Sequence, residues 1–338
     1  MTEQENNTIV VTGGAGYIGS HVVRLLLDNG FDVVVIDDLS SGKQANLPPG
    51  FTPGVNFFNG DFADGKIWQQ IYAQGGAEAV VHLAASIDAN ESLSEREKYI
   101  ENNFTKTQQL LDILQDLGRL GSGSAALPVN QPQPVKQLIF ASTAAVYGAT
   151  GSEPVMETAF LKPMNPYGES KVMAEQAINQ ATQFKTVCLR FFNVAGTIDT
   201  IGVLPQNPHG LISQISAAAK DGQKEFLIYG DDYPTPDGTC IRDFVNPQDI
   251  ARAILACVQQ SGTLPQNAIF NVGTGHGYSV LQILNKAREV AGKPILSRVA
   301  ARRDQEVPIS ICDNSLIKRT LNFELQNSDL DTILRTSL

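Results

Sequence analysis

The sequence predicts an α/β protein: a doubly wound parallel sheet of the Rossmann type, followed by a smaller C-terminal region. Three observations carry that prediction. From residue 8 onward, short apolar runs rich in β-branched residues recur along the chain. They are continuous rather than alternating, which suits strands covered on both faces. Amphipathic stretches long enough for crossover helices separate them, and repeated βαβ units with right-handed crossovers build a parallel sheet.

In chain order, strands are read at 9–12, 33–36, 79–82, 138–141 and 186–190. Helices are read at 21–29, 103–117 and 167–184, where leucines or alanines recur at helical spacing. Residues 118–135 contain Gly-Ser-Gly-Ser and Gln-Pro-Gln-Pro and read as a surface insertion between a helix and a strand. Beyond Asn193 the pattern loosens into Pro- and Gly-containing loops. Order returns with a helix at 249–260, a strand at 268–272 and a helix at 280–291, so the C-terminal region is expected to exchange segments with the first.

The first strand runs into Thr12-Gly13-Gly14-Ala15-Gly16-Tyr17-Ile18-Gly19, and a helix opens there. Glycines at 13, 16 and 19 permit a tight turn and close backbone approach to a diphosphate. The free N–H groups and positive dipole end of the helix would then face that anion. The second strand ends at Asp37, 18 residues past Gly19. A carboxylate there accepts hydrogen bonds from ribose hydroxyls and repels a 2′-phosphate, which points to NAD rather than NADP. Asp61, in Gly60-Asp61-Phe62, would face the adenine amino group. The bland alternative is a glycine turn followed by a solvated acid.

Tyr167 and Lys171 stand at i and i+4, on one face of a helix that follows Pro166. A tyrosine serving as a base near neutral pH must lose about three units from a pKa near 10, roughly 4 kcal/mol. A cation about 4 Å away supplies about that much at an effective dielectric near 20. The lysine and the positive nicotinamide ring are therefore expected to outweigh desolvation and lower the tyrosine pKa. Ser142-Thr143 supplies hydroxyls at a strand end, where ligands gather in such sheets. The rival reading is a chance Tyr/Lys pair on a surface helix.

These residues resemble the extended short-chain dehydrogenase/reductase family and, within it, the UDP-glucose (UDP-galactose) 4-epimerase branch. The resemblance runs from about Ile9 to Phe323. It includes the glycine turn, Asp37-Asp38-Leu39-Ser40-Ser41-Gly42, His82-Leu83-Ala84-Ala85, Asn102-Asn103, and the long string from Tyr229 through Arg242 to Phe244. It implies a 1–193 NAD-binding domain with a segment returning at about 244–272, and a discontinuous 194–338 domain for a UDP-sugar. It implies that Tyr167 takes the proton of the sugar 4-hydroxyl while a hydride passes from C4 to tightly bound NAD⁺, and that the 4-keto sugar turns over and is reduced on its other face. Thr143 would share the proton and Lys171 would hold the nicotinamide ribose. Tyr17, Ile18, Phe62, Leu83, Ala84, Ala85, Asn102 and Phe192 join the cofactor side by the same resemblance. Asn193, Leu211, Tyr229, Arg242, Arg303 and Glu306 join the substrate side, the two arginines on the diphosphate and Tyr229 beside the uracil. A homodimer is implied as well.

The chain departs from the family pattern in places. Arg302-Arg303-Asp304-Gln305-Glu306 stands where Arg-Arg-x-Gly-Asp is usual, and residues 197–210 are shorter and divergent. Ile87 and Asp88 stand where a lysine is common. Ser310 occupies the position whose size limits a 2-acetamido group, so UDP-N-acetylhexosamines join the expected substrates. Ala144 and Ala145 follow Thr143, where the related 4,6-dehydratases need acids. UDP-uronate or UDP-pentose epimerases and a non-catalytic nucleotide sensor are the remaining alternatives. Retention of both Tyr167 and Lys171 favours the enzyme.

Composition narrows the partners. The chain has 338 residues, with 25 Lys+Arg against 35 Asp+Glu, a net charge of −10. That balance argues against nucleic acid and anionic membranes as partners. Four scattered cysteines and four isolated histidines suggest neither a disulfide nor a metal framework. With no long apolar run and no signal-like start, a cytoplasmic location is expected.

Overall fold

The structure is a computed structural model that describes residues 7–122, 134–197, 209–303 and 305–338. The first half alternates strand and helix: β1 (Thr8–Thr12), α1 (Tyr17–Asp28), β2 (Asp32–Asp37), β3 (Phe57–Asn59), α2 (Gly65–Ala73) and β4 (Ala79–His82). It continues with α3 (Ala89–Ser94), α4 (Arg96–Ile100), α5 (Lys106–Ser122), β5 (Gln137–Thr143), α6 (Pro166–Asn179) and β6 (Lys185–Phe191). The remainder holds β7 (Asn193–Val194), α7 (Leu211–Lys220), β8 (Phe226–Tyr229), β9 (Ile241–Val245), α8 (Pro247–Gln259) and β10 (Asn267–Val272). Last come β11 (Gly277–Ser279), α9 (Val280–Ala291), β12 (Ser297–Ala300), β13 (Ile309–Ser310), α10 (Ser315–Leu321) and α11 (Leu330–Arg335).

Among the described residues, seven strands form a parallel sheet in the order β10-β6-β5-β4-β1-β2-β3. Neighbouring residues of one strand feed opposite cores. Ile9, Val11, Val33, Val35, Ile139, Val187 and Leu189 pack under α1, α8 and α10. Val10, Val34, Ile36, Val80, Leu138, Phe140 and Cys188 pack under α2, α5 and α6. Two buried faces explain why the strand signal is continuous rather than alternating. Each such side chain contributes about 1.5–3 kcal/mol on burial.

A second sheet centres on β9, which pairs with β11, β13 and β7, while β8 pairs with β12. A separate apolar cluster from α7, β8, α9 and α11 fills this region. β10 returns to the edge of the large sheet, and α8 packs on α1.

Several boundaries differ from the expectations. β3 and α2 had not been anticipated: β3 is three residues long, too short for a pattern. α1 begins at Tyr17, four residues before the expected start, and α6 ends at Asn179, five before the expected end. α5 runs to Ser122, into the stretch read as an insertion; residues 123–133 of that stretch lie outside the described residues, as do 198–208 of the divergent 197–210 stretch. All four cysteines are buried and free. No helix of the described residues is long and apolar enough to cross a membrane.

Candidate active site

The C-terminal ends of β1, β2, β4, β5 and β6 open onto one cavity of about 1110 Å³. At its floor the chain leaves β1 with Gly13 at φ +71, where a side chain's Cβ would stand 2.7 Å from the Ala84 backbone nitrogen. A Cβ on Gly19 would overlap the Gly13 carbonyl oxygen. These two positions let backbone meet backbone. Gly16 caps α1 without any side-chain hydrogen bond, and the first turn carries no acid, so the helix N–H groups face the cavity uncompensated. Asp37 closes the far side, its Oδ2 accepting from the Ala15 N–H (2.9 Å) and its Oδ1 from the Leu39 N–H (2.9 Å). Burial pushes its carboxyl up, and those two backbone bonds pull it back. A turn shaped for close approach, an open helix end and an acid beyond β2 together fit a dinucleotide.

A directed hydrogen-bond chain holds the next loop. The Thr107 hydroxyl donates to the Asn103 carbonyl (2.8 Å), so it accepts from His82 Nε2–H (3.0 Å). Thr12 Oγ1 then donates to His82 Nδ1 (2.7 Å) and accepts from the Ala84 N–H (3.4 Å). Burial, with the nearby Lys171 charge second, holds His82 down at about 3, so the ring is neutral. Glu101–Thr105 forms a π-helical turn that points Asn102 and Asn103 at Ser86. Asn103 also donates to the Ser170 hydroxyl on α6 (3.1 Å).

Asn165 caps α6 through the Gly168 N–H (2.9 Å), with Pro166 in the first turn. That start brings Tyr167 and Lys171 to the cavity wall opposite β5. Thr143, the last residue of β5, brings its hydroxyl to the side of the Tyr167 phenol. Lys171 Nζ donates to the Ala141 carbonyl (2.9 Å) and lies 4.6 Å from the Phe140 ring centroid. Burial lowers Lys171 to about 7, against the pull of Glu175. The expected fall of the Tyr167 pKa does not arise from the protein alone: burial pushes its phenol up, and the Thr143 hydrogen bond opposes that. Desolvation is the larger of the two effects.

The cavity collects nearly every residue singled out from the sequence. Gly13, Gly16, Tyr17, Ile18, Gly19, Asp37, Asp38, Ser40, Ser41, Asp61, Phe62, Leu83, Ala84, Ala85, Asn102 and Phe192 line it with Thr143, Tyr167 and Lys171. So do Asn193, Leu211, Arg242, Glu306 and Ser310, the last paired in register with Arg242. Leu39 and Gly42 stand behind the lining, Leu39 at φ +58 and Gly42 against Ala15. Tyr229 and Arg303 also stand outside it, stacked on each other with the guanidinium carbon 3.9 Å from the ring centroid. Arg242 is ion-paired with Glu306 and donates to the Ile241 carbonyl (2.9 Å). Gln305 keeps φ +58 where the family pattern has glycine. Tyr17 donates to the Gly196 carbonyl across the cavity mouth. Sequence reasoning missed Lys98, Lys106 and Lys220 in the lining; Lys106 pairs with Asp61 at 2.6 Å. A cation on a helix surface has no local signature, so only the fold reveals it.

Residues 9–273 match the NAD dependent epimerase/dehydratase family. The chain belongs to that family. Within it, the chain is 35% identical to the UDP-glucose 4-epimerase of Lacticaseibacillus casei over 339 residues, covering 98% of this chain and 95% of the relative. A solved structure of UDP-glucose 4-epimerase from Brucella ovis in complex with NAD superposes with a TM-score of 0.86 at 34% identity, covering 98% and 97% of the two chains. The UDP-Glc/GlcNAc 4-epimerase from Campylobacter jejuni gives 0.80 at 34% identity, covering 98% of each chain.

Two predictions follow from this epimerase/dehydratase site. Gly13→Ala places a Cβ against Ala84 at a left-handed φ and is expected to cut retained dinucleotide at least tenfold, read by chromatography of the nucleotide released from purified protein. His82 contributes stability fully above its unfolded value of 6.5 and loses it as the pH falls toward about 3. Over that window the unfolded chain binds one more proton, about 1.4 kcal/mol per pH unit. Urea titrations of His82→Gln should show a slope shallower by about that much.

Proposed function

We propose that this chain inverts C4 of a UDP-hexose, interconverting UDP-galactose and UDP-glucose, with NAD held throughout the cycle. The observation that carries the reading is one cavity with a diphosphate cradle at its floor and the Thr143–Tyr167–Lys171 group on its wall. NAD, when bound, accepts the C4 hydride and returns it, and its positive ring favours the tyrosine phenolate. The rest falls to the chain. Tyr167 accepts the 4-hydroxyl proton, and Thr143, whose hydroxyl pulls the phenol down against burial, shares it. Lys171 donates to the Ala141 carbonyl and presents its remaining N–H groups to the cavity side. Phenolate and ammonium stabilise each other, so the two groups titrate as a pair.

Asp37 supports NAD over NADP, because a second anion would face a carboxylate already held by backbone N–H groups. Arg242, freed from Glu306, offers a planar donor edge to the sugar nucleotide's diphosphate. Ser310 is small and half-buried beside Arg242, which supports UDP-N-acetylhexosamines as further substrates. A 4,6-dehydratase reading is weaker, since the turn after Thr143 carries only Ala144, Ala145 and Val146. A homodimer is part of the proposal by resemblance.

Purified protein given UDP-galactose or UDP-GlcNAc without added NAD is expected to invert C4 in both, followed by NMR. Tyr167→Phe should lower kcat by about 10²–10⁴ with little change in KM. No inversion by the wild type would overturn the reading, and no turnover of UDP-GlcNAc alone would remove the second substrate.

A further inference from the structure

Glu175 continues the row of Tyr167 and Lys171 at i+8 on α6, and its side chain is buried. Arg190, on β6, grips it twice, Nε to Oε1 at 2.9 Å and Nη2 to Oε2 at 2.6 Å. Ser142 donates to Oε1 as well, and Ser142 lies between Ala141, which accepts from Lys171, and Thr143, which lies beside Tyr167. The other side of Arg190 is fixed by the Tyr147 hydroxyl (2.9 Å) and the Glu157 carbonyl (3.0 Å). Four groups thus alternate along one buried line: phenol, ammonium, carboxylate, guanidinium.

A pair this deep is costly to assemble, and an apolar pair of the same volume would often be as stable. Its position accounts for it. Lys171 donates to a carbonyl and faces an aromatic ring, and among the described residues no carboxylate forms an ion pair with it. We propose that Glu175 is a positioning residue for Tyr167 and Lys171: clamped by Arg190, its carboxylate supplies the fixed negative charge behind the ammonium and ties the Ala141–Thr143 end of β5 to α6. The proposal rests on the epimerase reading.

The other groups around Lys171 do not replace that charge. His82, from β4, is neutral, and burial keeps the Cys188 thiol of β6 protonated. Tyr99, from α4, packs edge-on against Tyr167 and donates to Glu91 of α3, which also pairs with Lys98. Arg96 of α4 pairs with Glu169 on the exposed side of α6. Of the carboxylates, Glu175 is the one that raises the Lys171 pKa against burial.

The test compares the holoenzyme with Glu175→Asp, Glu175→Gln and the double variant Glu175→Gln/Arg190→Met, which leaves no unpaired buried charge if the single variant fails to fold. Activity needs a charged Lys171, so it falls as pH rises through that group's pKa. Removing the negative charge lowers the pKa. The double variant is expected to keep its NAD and KM for UDP-galactose, lose about tenfold in kcat at neutral pH, and move the descending limb of kcat against pH down by about one unit. Glu175→Asp should restore the limb. A double variant with an unmoved limb overturns the proposal, whether kcat is unchanged or falls only in step with lost NAD or thermal stability. A wild type that fails to invert C4 instead overturns the epimerase reading beneath it.

Discussion

One buried ammonium sets the terms for the rest of this molecule. Lys171 lines the cavity in a setting that excludes water, and burial holds it down at about 7 even though the Glu175 charge pulls the other way. Its neighbours answer that constraint in layers. The Ala141 carbonyl accepts a hydrogen bond from it, the Phe140 ring faces it, and Glu175 stands one helical turn further on, itself held by Arg190. The parallel sheet makes this possible because β5 and β6 end side by side, with Ser142 opposite Arg190 and Thr143 opposite Phe191. The same strand ends carry the Thr143 hydroxyl beside Tyr167.

The net charge of −10 sits easily with ligands that carry diphosphates. Extended phosphate surfaces need many cations, but a closed pocket needs only a few aimed donors. The α1 terminus offers them from backbone, without a lysine, and under the proposed function Arg242 offers them at the sugar end. Glu306 pairs with Arg242, so the acidic excess acts here as a local counter-charge rather than a field.

How much could be read in advance follows from where each property originates. The strands were legible because both faces are buried, and the glycine turn because backbone contact leaves no alternative at Gly13 and Gly19. Tyr167 and Lys171 were legible from their spacing on one helix. Glu175 shares that spacing, yet nothing local distinguishes it from a surface acid; only β6 brings Arg190 to it. The burial that pushes the Tyr167 phenol up in the chain without a dinucleotide is tertiary in the same way, since desolvation is a property of the assembled site. The stacking of Arg303 on Tyr229 and the pairing of Arg242 with Glu306 are likewise tertiary and had no sequence signal.

The central claim is that C4 is oxidised and reduced within one closed site, with Tyr167 handling only the hydroxyl proton. UDP-galactose carrying deuterium at C4, turned over in ordinary water without added NAD, tests it most directly by NMR of the recovered sugars. The account predicts that deuterium stays at C4 in both epimers. Washout of the label into water, or inversion that requires NAD to be supplied at each turnover, would contradict it.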